Sequence, residues 1–217
     1  MLRKLFRKGS IAILWLAIWW AAAALVGQTL LLPSPVETGK ALLSMAGQGA
    51  FWAAIGASML RIVLGFALGV LLGAALAILT SRFRWWHDFF APMLSIIKAT
   101  PVASFIVLAL IWIRTDGVPV FTTILVVLPV VWANVSTGIA AMDKNLLEMA
   151  DAYQLTFPRR LRAVIWPTIR PYFDAAVVTG MGMAWKAGVA AEVIAIPTAS
   201  LGTRLYNAQI YLDIPAM

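Results

Sequence analysis

The residues able to do chemistry in this sequence are the few charged and polar groups set inside long apolar stretches: Arg61, Lys186 beside Trp185, and Glu192. A cation at mid-bilayer costs about 2.5 to 3.5 kcal/mol on insertion scales, so each must pair, line a wet cavity or snorkel to an interface. Lining a cavity, Arg61 and Lys186 would favour an anion such as a sulfonate, a carboxylate or a phosphorylated precursor. Pairing is the competing reading, for Lys186 with Asp174 or with a second copy of the chain. Lys186 and Glu192 stand six residues apart, about 600° of helical turn, and so on different faces of one helix. Asn134 and Ser136 are weaker candidates, able to face a pathway or to bond a neighbouring helix. No catalytic set emerges: His87 is the single histidine, and with Asp88 alone it makes no nucleophile and base. With no cysteine, the chain offers no disulfide, thiol or thiolate site, and no metal site is expected.

These residues need spans to hold them, and the composition supplies spans. The chain is 62% hydrophobic and 12% charged, against about 25% charged in soluble domains, with a mean hydropathy of +0.90. A formal charge of +8 could suit nucleic acid, but the cations gather in short connections between apolar runs. That is orientation charge, so no nucleic-acid partner is expected. Twelve of the seventeen Lys and Arg fall in the segments placed inside: Arg3, Lys4, Arg7, Lys8; Arg82, Arg84, Lys98; Lys144, Arg159, Arg160, Arg162, Arg170. The bias puts the N-terminus and residues 145–171 in the cytosol.

An all-α membrane protein with five visible spans is expected. The first runs from Ile11 to Leu32, too long for a signal-peptide core, and ends at Pro33 and Pro35. Val36 to Met45 reads as a short amphipathic helix or a plain loop, with Glu37 and Lys40 toward water. The second span, Phe51 to Thr80, carries Gly56, Gly65, Gly69 and Gly73, a smooth stripe for close helix approach. Ser81 to Phe90 reads as a cytosolic turn, and Pro101 breaks a shallow helix, Phe89 to Ile97, from a third span, Val102 to Ile113. Arg114 to Pro119 is an outer turn. The fourth span is Val120 to Met142, kinked at Pro129, and the fifth is about Tyr172 to Ile196.

Between the last two spans lies NLLEMADAYQLTFPRRLRAVIWPTIRP, Asn145 to Pro171, the longest polar, helix-prone insert. It reads as two short helices, Leu147 to Leu155 and Pro158 to Ile165, the second closed by Trp166-Pro167. Glu148, Met149 and Ala150, with Pro167 nineteen residues after Glu148, resemble the EAA loop of binding-protein-dependent ABC transporter permeases. Met149 replaces an alanine, and Gln154 stands where that family has glycine, so its turn is made by a residue with a Cβ. Leu32-Pro-Ser-Pro35, Ser58-Met-Leu-Arg61, Leu64-Gly65, Lys98-Ala-Thr-Pro101 and Ala184-Trp185 through Ala191-Glu192 resemble the nitrate/sulfonate/taurine-type branch.

The resemblance implies a type I importer permease-like bundle with cytosolic coupling helices, one permease domain over 1–217, and a sixth span beyond Met217. It implies a multi-pass protein of the bacterial inner membrane working with a second permease copy, two ATP-binding subunits and an extracytoplasmic solute-binding protein. ATP and Mg would sit on the partner ATPase and no cofactor on this chain: Gly39-Lys40 is preceded by Ser34 where a phosphate loop needs its first glycine. The ATPase-coupling residues would be Glu148, Met149, Ala150, Asp151, Gln154, Leu155, Phe157 and Pro167. Docking would rest on Ala150, Leu155 and Phe157, with Glu148 and Asp151 capping helix ends or meeting a basic rim. The competing readings are a membrane scaffold, which would need the same protrusion, and a secondary transporter, which would need an ion-coupling chain of acids.

Overall fold

The computed structural model describes residues 2–217, and the side chains of 2–6 and 8 are not among those described, so the expected cationic role of Arg3, Lys4 and Lys8 falls on side chains outside the description. Every described element is helical. In order these are α1 (Leu2–Val26), α2 (Pro35–Ala46), α3 (Gly49–Arg82), α4 (Arg84–Ala99), α5 (Val102–Ala109) and α6 (Val118–Ala140). Then come α7 (Lys144–Ala152), α8 (Phe157–Arg160), a π-helical turn (Leu161–Ile165), α9 (Trp166–Ala195), α10 (Leu201–Ile210) and a 3-10 turn (Ile214–Ala216). Among the described residues four helical stretches are long and apolar enough to cross a membrane: 9–26, Gly49–Arg82, Val118–Ala140 and 157–195. The pair α4 and α5, bent by 101° at Thr100-Pro101, makes a fifth if it is counted as one span. The chain divides into two compact units, residues up to Ala57 with Thr198–Met217, and Ser58–Pro197.

In the first unit α1 stops at Val26, six residues before the expected Leu32. Gly27 takes φ +66 and its N–H bonds the Ala23 carbonyl, a left-handed cap that glycine adopts without a Cβ penalty. Trp19 donates its indole N–H to the Pro33 carbonyl at 3.1 Å. Helix α2 settles the choice between helix and loop, because Ser34 and Glu37 form a reciprocal capping box ahead of it. Glu37, expected to point to water, instead accepts from the Ser34 backbone N–H at 2.8 Å and from its hydroxyl at 2.9 Å. Those two donors, the backbone one first, hold its pKa below the ordinary value of 4.5.

The second unit is a bundle of α3, α6 and α9 around Ile62, Val127, Val131, Trp132, Ala176 and Ala184, with Leu94 of α4 in the same core. The glycine stripe does what its spacing suggests over most of its length. A Cβ on Gly73 would lie 2.7 Å from the Leu128 carbonyl oxygen, and one on Gly69 2.9 Å from Val127 Cβ. Gly56 meets open space and is no part of the contact. Pro129 lies within α6, which continues through it.

One expected turn is helix, and one expected span is a shorter helix followed by turns. Ser81 to Phe90 is not a turn: α3 runs to Arg82, Phe83 alone is extended at φ −129, and α4 begins at Arg84. The third span is not one helix to Ile113, since α5 ends at Ala109 and a chain of turns follows. The break before it falls where Pro101 puts it, with both the N–H and the hydroxyl of Thr100 bonded back to Ile96.

Candidate functional site

The segment from Asp143 to Pro171 is built by local rules. Asp143 caps α7, accepting from the Asn145 N–H at 2.8 Å. At the other end Leu155 N–H bonds the Ala150 carbonyl and Gln154 N–H that of Asp151, the paired bonds of a Schellman turn. That turn requires a left-handed residue between them, and Gln154 supplies it at φ 49. The position where the resembled loop carries glycine is thus the one whose backbone calls for it.

The second short helix is not closed at Trp166-Pro167. Phe157 begins a helix that runs through the π turn into α9 without a stop, ending at Ala195. Proline at the start of α9 gives up an N–H, and the widened turn before it, closed by Trp166 N–H on the Leu161 carbonyl, makes room for the ring. So the protrusion is one free helix, α7, leaning on the first turns of a span.

That geometry redraws the exposed face. Ala150 is 1% exposed and turned inward, and Leu155 is half-buried. Exposed instead are Leu146, Met149, Tyr153 at 75% and Phe157 at 71%. Asp151 pairs with Arg160, stitching α7 to α8. Glu148 is exposed in mid-helix, capping no end, and no ion pair holds it among the described residues.

Within the spans the six candidate residues part into separate groups. Arg61 and Glu192 meet in a buried cluster. Glu192 is fully buried; the Ser58 hydroxyl donates to its Oε2 at 2.7 Å and Arg61 Nη1 approaches Oε1 at 3.4 Å. The other Arg61 nitrogen reaches Asp116 Oδ1 at 3.0 Å. Three segments are tied at one guanidinium: α3, α9 and the turn before α6. The structure shows the competing reading for Arg61, pairing, with Glu192 held out of solvent. Ser58 and Asp116 were not singled out as partners. The i, i+3 spacing of Ser58 and Arg61 on one helix face was the available signal.

Trp185 and Lys186 stand together on the exposed side of α9, and no ion pair or hydrogen bond holds Lys186 among the described residues. Asp174 pairs with Arg170 at 3.5 Å and not with Lys186. Asn134 is half-buried and spends an amide N–H on the Val130 carbonyl of its own helix, while Ser136 Oγ is buried with no hydrogen-bond partner. His87 lies 3.3 Å from Asp88, both exposed.

An all-helical chain of several apolar spans, with a polar protrusion between the last two, is a multi-pass membrane protein. Residues 65–217 match the family described as binding-protein-dependent transport system inner membrane component, and the chain belongs to that family. It is 27% identical to the taurine transport system permease protein of Escherichia coli, over 94% of this chain and 76% of that one. It is 28% identical to a protein of Brucella melitensis named a probable ABC transporter permease, over 86% of this chain and 76% of that one. To the bicarbonate transport system permease protein of Synechococcus elongatus it is 20% identical, over 74% of this chain and 58% of that one. These names fit the nitrate/sulfonate/taurine-type branch that the motifs indicated.

Proposed function

We propose that the chain is the membrane half of an ATP-driven importer, moving a small anion inward by alternating access while separate subunits hydrolyse ATP. The observation that carries this is the row Leu146, Met149, Tyr153 and Phe157, large side chains left uncovered on α7, its C-cap and the first residue of the continuous helix 157–195. An ATPase groove closing on that row would push on α9, and two such copies moved together by an ATPase pair would rock between inward-open and outward-open states. The N-terminus and the protrusion then share the cytosolic side, as the cation bias requires.

The anion preference is supported by Lys186 with Trp185 on the uncovered side of α9, and by relatives named for taurine and bicarbonate. A second copy of the chain would enclose that side, and a solute-binding protein would deliver to the outer face. ATP and Mg belong to the two ATP-binding subunits.

The test is co-purification with the ATP-binding subunits and ATPase activity on adding solute-loaded binding protein. Tyr153→Asp should weaken ATPase docking by about 2 kcal/mol, roughly thirtyfold, because a large aromatic is the usual anchor of such a contact. Glu148→Ala should leave the protein inserted and uncouple hydrolysis from uptake. Full stimulation and uptake by both variants would sink the proposal, and docking without any stimulation would favour the scaffold.

A further inference from the structure

The end of the bundle next to the protrusion holds a cavity of about 440 Å³ between the last turns of α3 and α6 and the first turns of α9. Its walls are Ala74 and Ile78 of α3, Ile139 of α6, and Leu161, Ile169 and Phe173 of the π turn and α9. Polar side chains enter only at one end, Ser81 and Arg82. Arg82 lies over the Phe83 ring at 5.4 Å, and no carboxylate pairs with it among the described residues. The slot is therefore apolar along its length, with an uncompensated cation at its mouth.

Its length can be measured along the helices. Ala74 to Arg82 spans about 12 Å at 1.5 Å per residue, and Leu161 to Phe173 about 18 Å. One leaflet of a membrane is roughly 15 Å of hydrocarbon, half of about 30 Å. A slot about one leaflet long, with a cation at one end and Trp166 among its lining residues, fits a single amphiphile.

We propose that this groove holds one acyl chain of an anionic phospholipid, with the lipid phosphate on Arg82. The guanidinium suits a phosphate better than a zwitterionic head, whose own ammonium competes for it. An acyl chain fills the apolar walls without leaving a void or a stranded polar group. The site rests on the fold alone and depends neither on the solute nor on the ATPase. It also lies under Phe157, so its occupancy would stiffen the junction between protrusion and span.

The experiment uses the purified full chain in lipid nanodiscs with phosphatidylglycerol bearing a photoreactive diazirine near the end of one chain, against phosphatidylcholine bearing the same chain. Phosphatidylglycerol should label peptides containing 74–82, 135–142 and 161–173 in preference to the rest of the lipid-facing surface. Arg82→Gln should cut that labelling roughly fivefold, since a cation at a membrane surface contributes about that factor, and leave the phosphatidylcholine signal unchanged. Ile139→Trp, filling the slot, should lower both; if its melting temperature shows misfolding, Ile78→Trp gives the same reading from the other wall. Even labelling over all lipid-facing helices, or a lipid preference that survives Arg82→Gln, overturns the proposal. Loss of the preference on adding excess inorganic phosphate would assign the mouth to a free anion and overturn it as well.

Discussion

Arg61→Ala should be among the most damaging single substitutions in the chain, and the cluster shows why. Glu192 is fully buried, and Arg61 is the cation paired with it. Removing one partner of a buried pair costs about 3 to 5 kcal/mol, because the remaining charge stays out of water. At roughly 2 to 4 °C per kcal/mol for a chain of this size, melting should fall by about 6 to 20 °C. The Asp116 arm adds little, since that carboxylate is 46% exposed and solvent screens it. Glu192→Gln should cost less, about 1 to 3 kcal/mol: the amide oxygen still accepts from Ser58, and Arg61 keeps Asp116. Arg61→Met with Glu192→Met should recover much of the loss, as apolar replacements of buried pairs usually do. The assay is thermal unfolding of the purified full chain in detergent, followed by helical circular dichroism. Melting of Arg61→Ala within about 2 °C of the parent, or Glu192→Gln proving the more harmful, would refute the reasoning.

Three further outcomes are expected. Gly73→Ala should destabilise by about 1 to 3 kcal/mol, since the new methyl meets the Leu128 carbonyl at 2.7 Å, whereas Gly56→Ala, with open space, should be neutral or mildly stabilising in the same melt. Gln154→Gly should relieve left-handed strain of about 1 to 2 kcal/mol and lose about 0.5 to 1 to chain entropy, a small net gain; Gln154→Val should lose stability, and amide exchange in α7 reads both. Glu37 titrates below its ordinary 4.5, so its cap is fully present above that pH and is lost as pH falls through the lowered value. Amide protection at the start of α2 should weaken in that acid window in the parent and show no such step in Glu37→Gln.

The spans were legible because apolar runs longer than a bilayer have few alternatives, and the glycines at 65, 69 and 73 told which face of α3 another helix would touch. Pro101 marked its break correctly. Arg61 announced that it needed a partner, but Glu192 lies 131 residues away, and no local pattern carries a pairing over that separation. Polar composition misled at Ser81 to Phe90, where a charged stretch looked like a loop and the chain needed only Phe83 to change direction. The signal at Trp166-Pro167 misled for a different reason. Proline stops a helix by lacking an N–H and by crowding the carbonyl four residues back, and a π turn there removes the crowding. At Gln154 the departure from glycine proved informative, since the left-handed turn persists with a Cβ present.

The continuity of 157–195 changes how force would pass through the protein. Two self-contained helices on a loop would pass a push to the bundle only through their packing. A helix that starts at Phe157 and continues to Ala195 would pass it along its axis, with α7 joined to it by the short turn at Gln154 and by the exposed Arg160 to Asp151 pair. The compliant stretch is then Leu161 to Pro171, where a widened turn and two prolines, Pro167 and Pro171, withhold ladder hydrogen bonds. Beyond it, α9 lies tight against α3 at Gly188, where a Cβ would come 2.6 Å from Ile62 Cγ1. On the proposed coupling, bending would concentrate at the end of α9 nearest the protrusion, and the part carrying Lys186 and Glu192 would move as one piece.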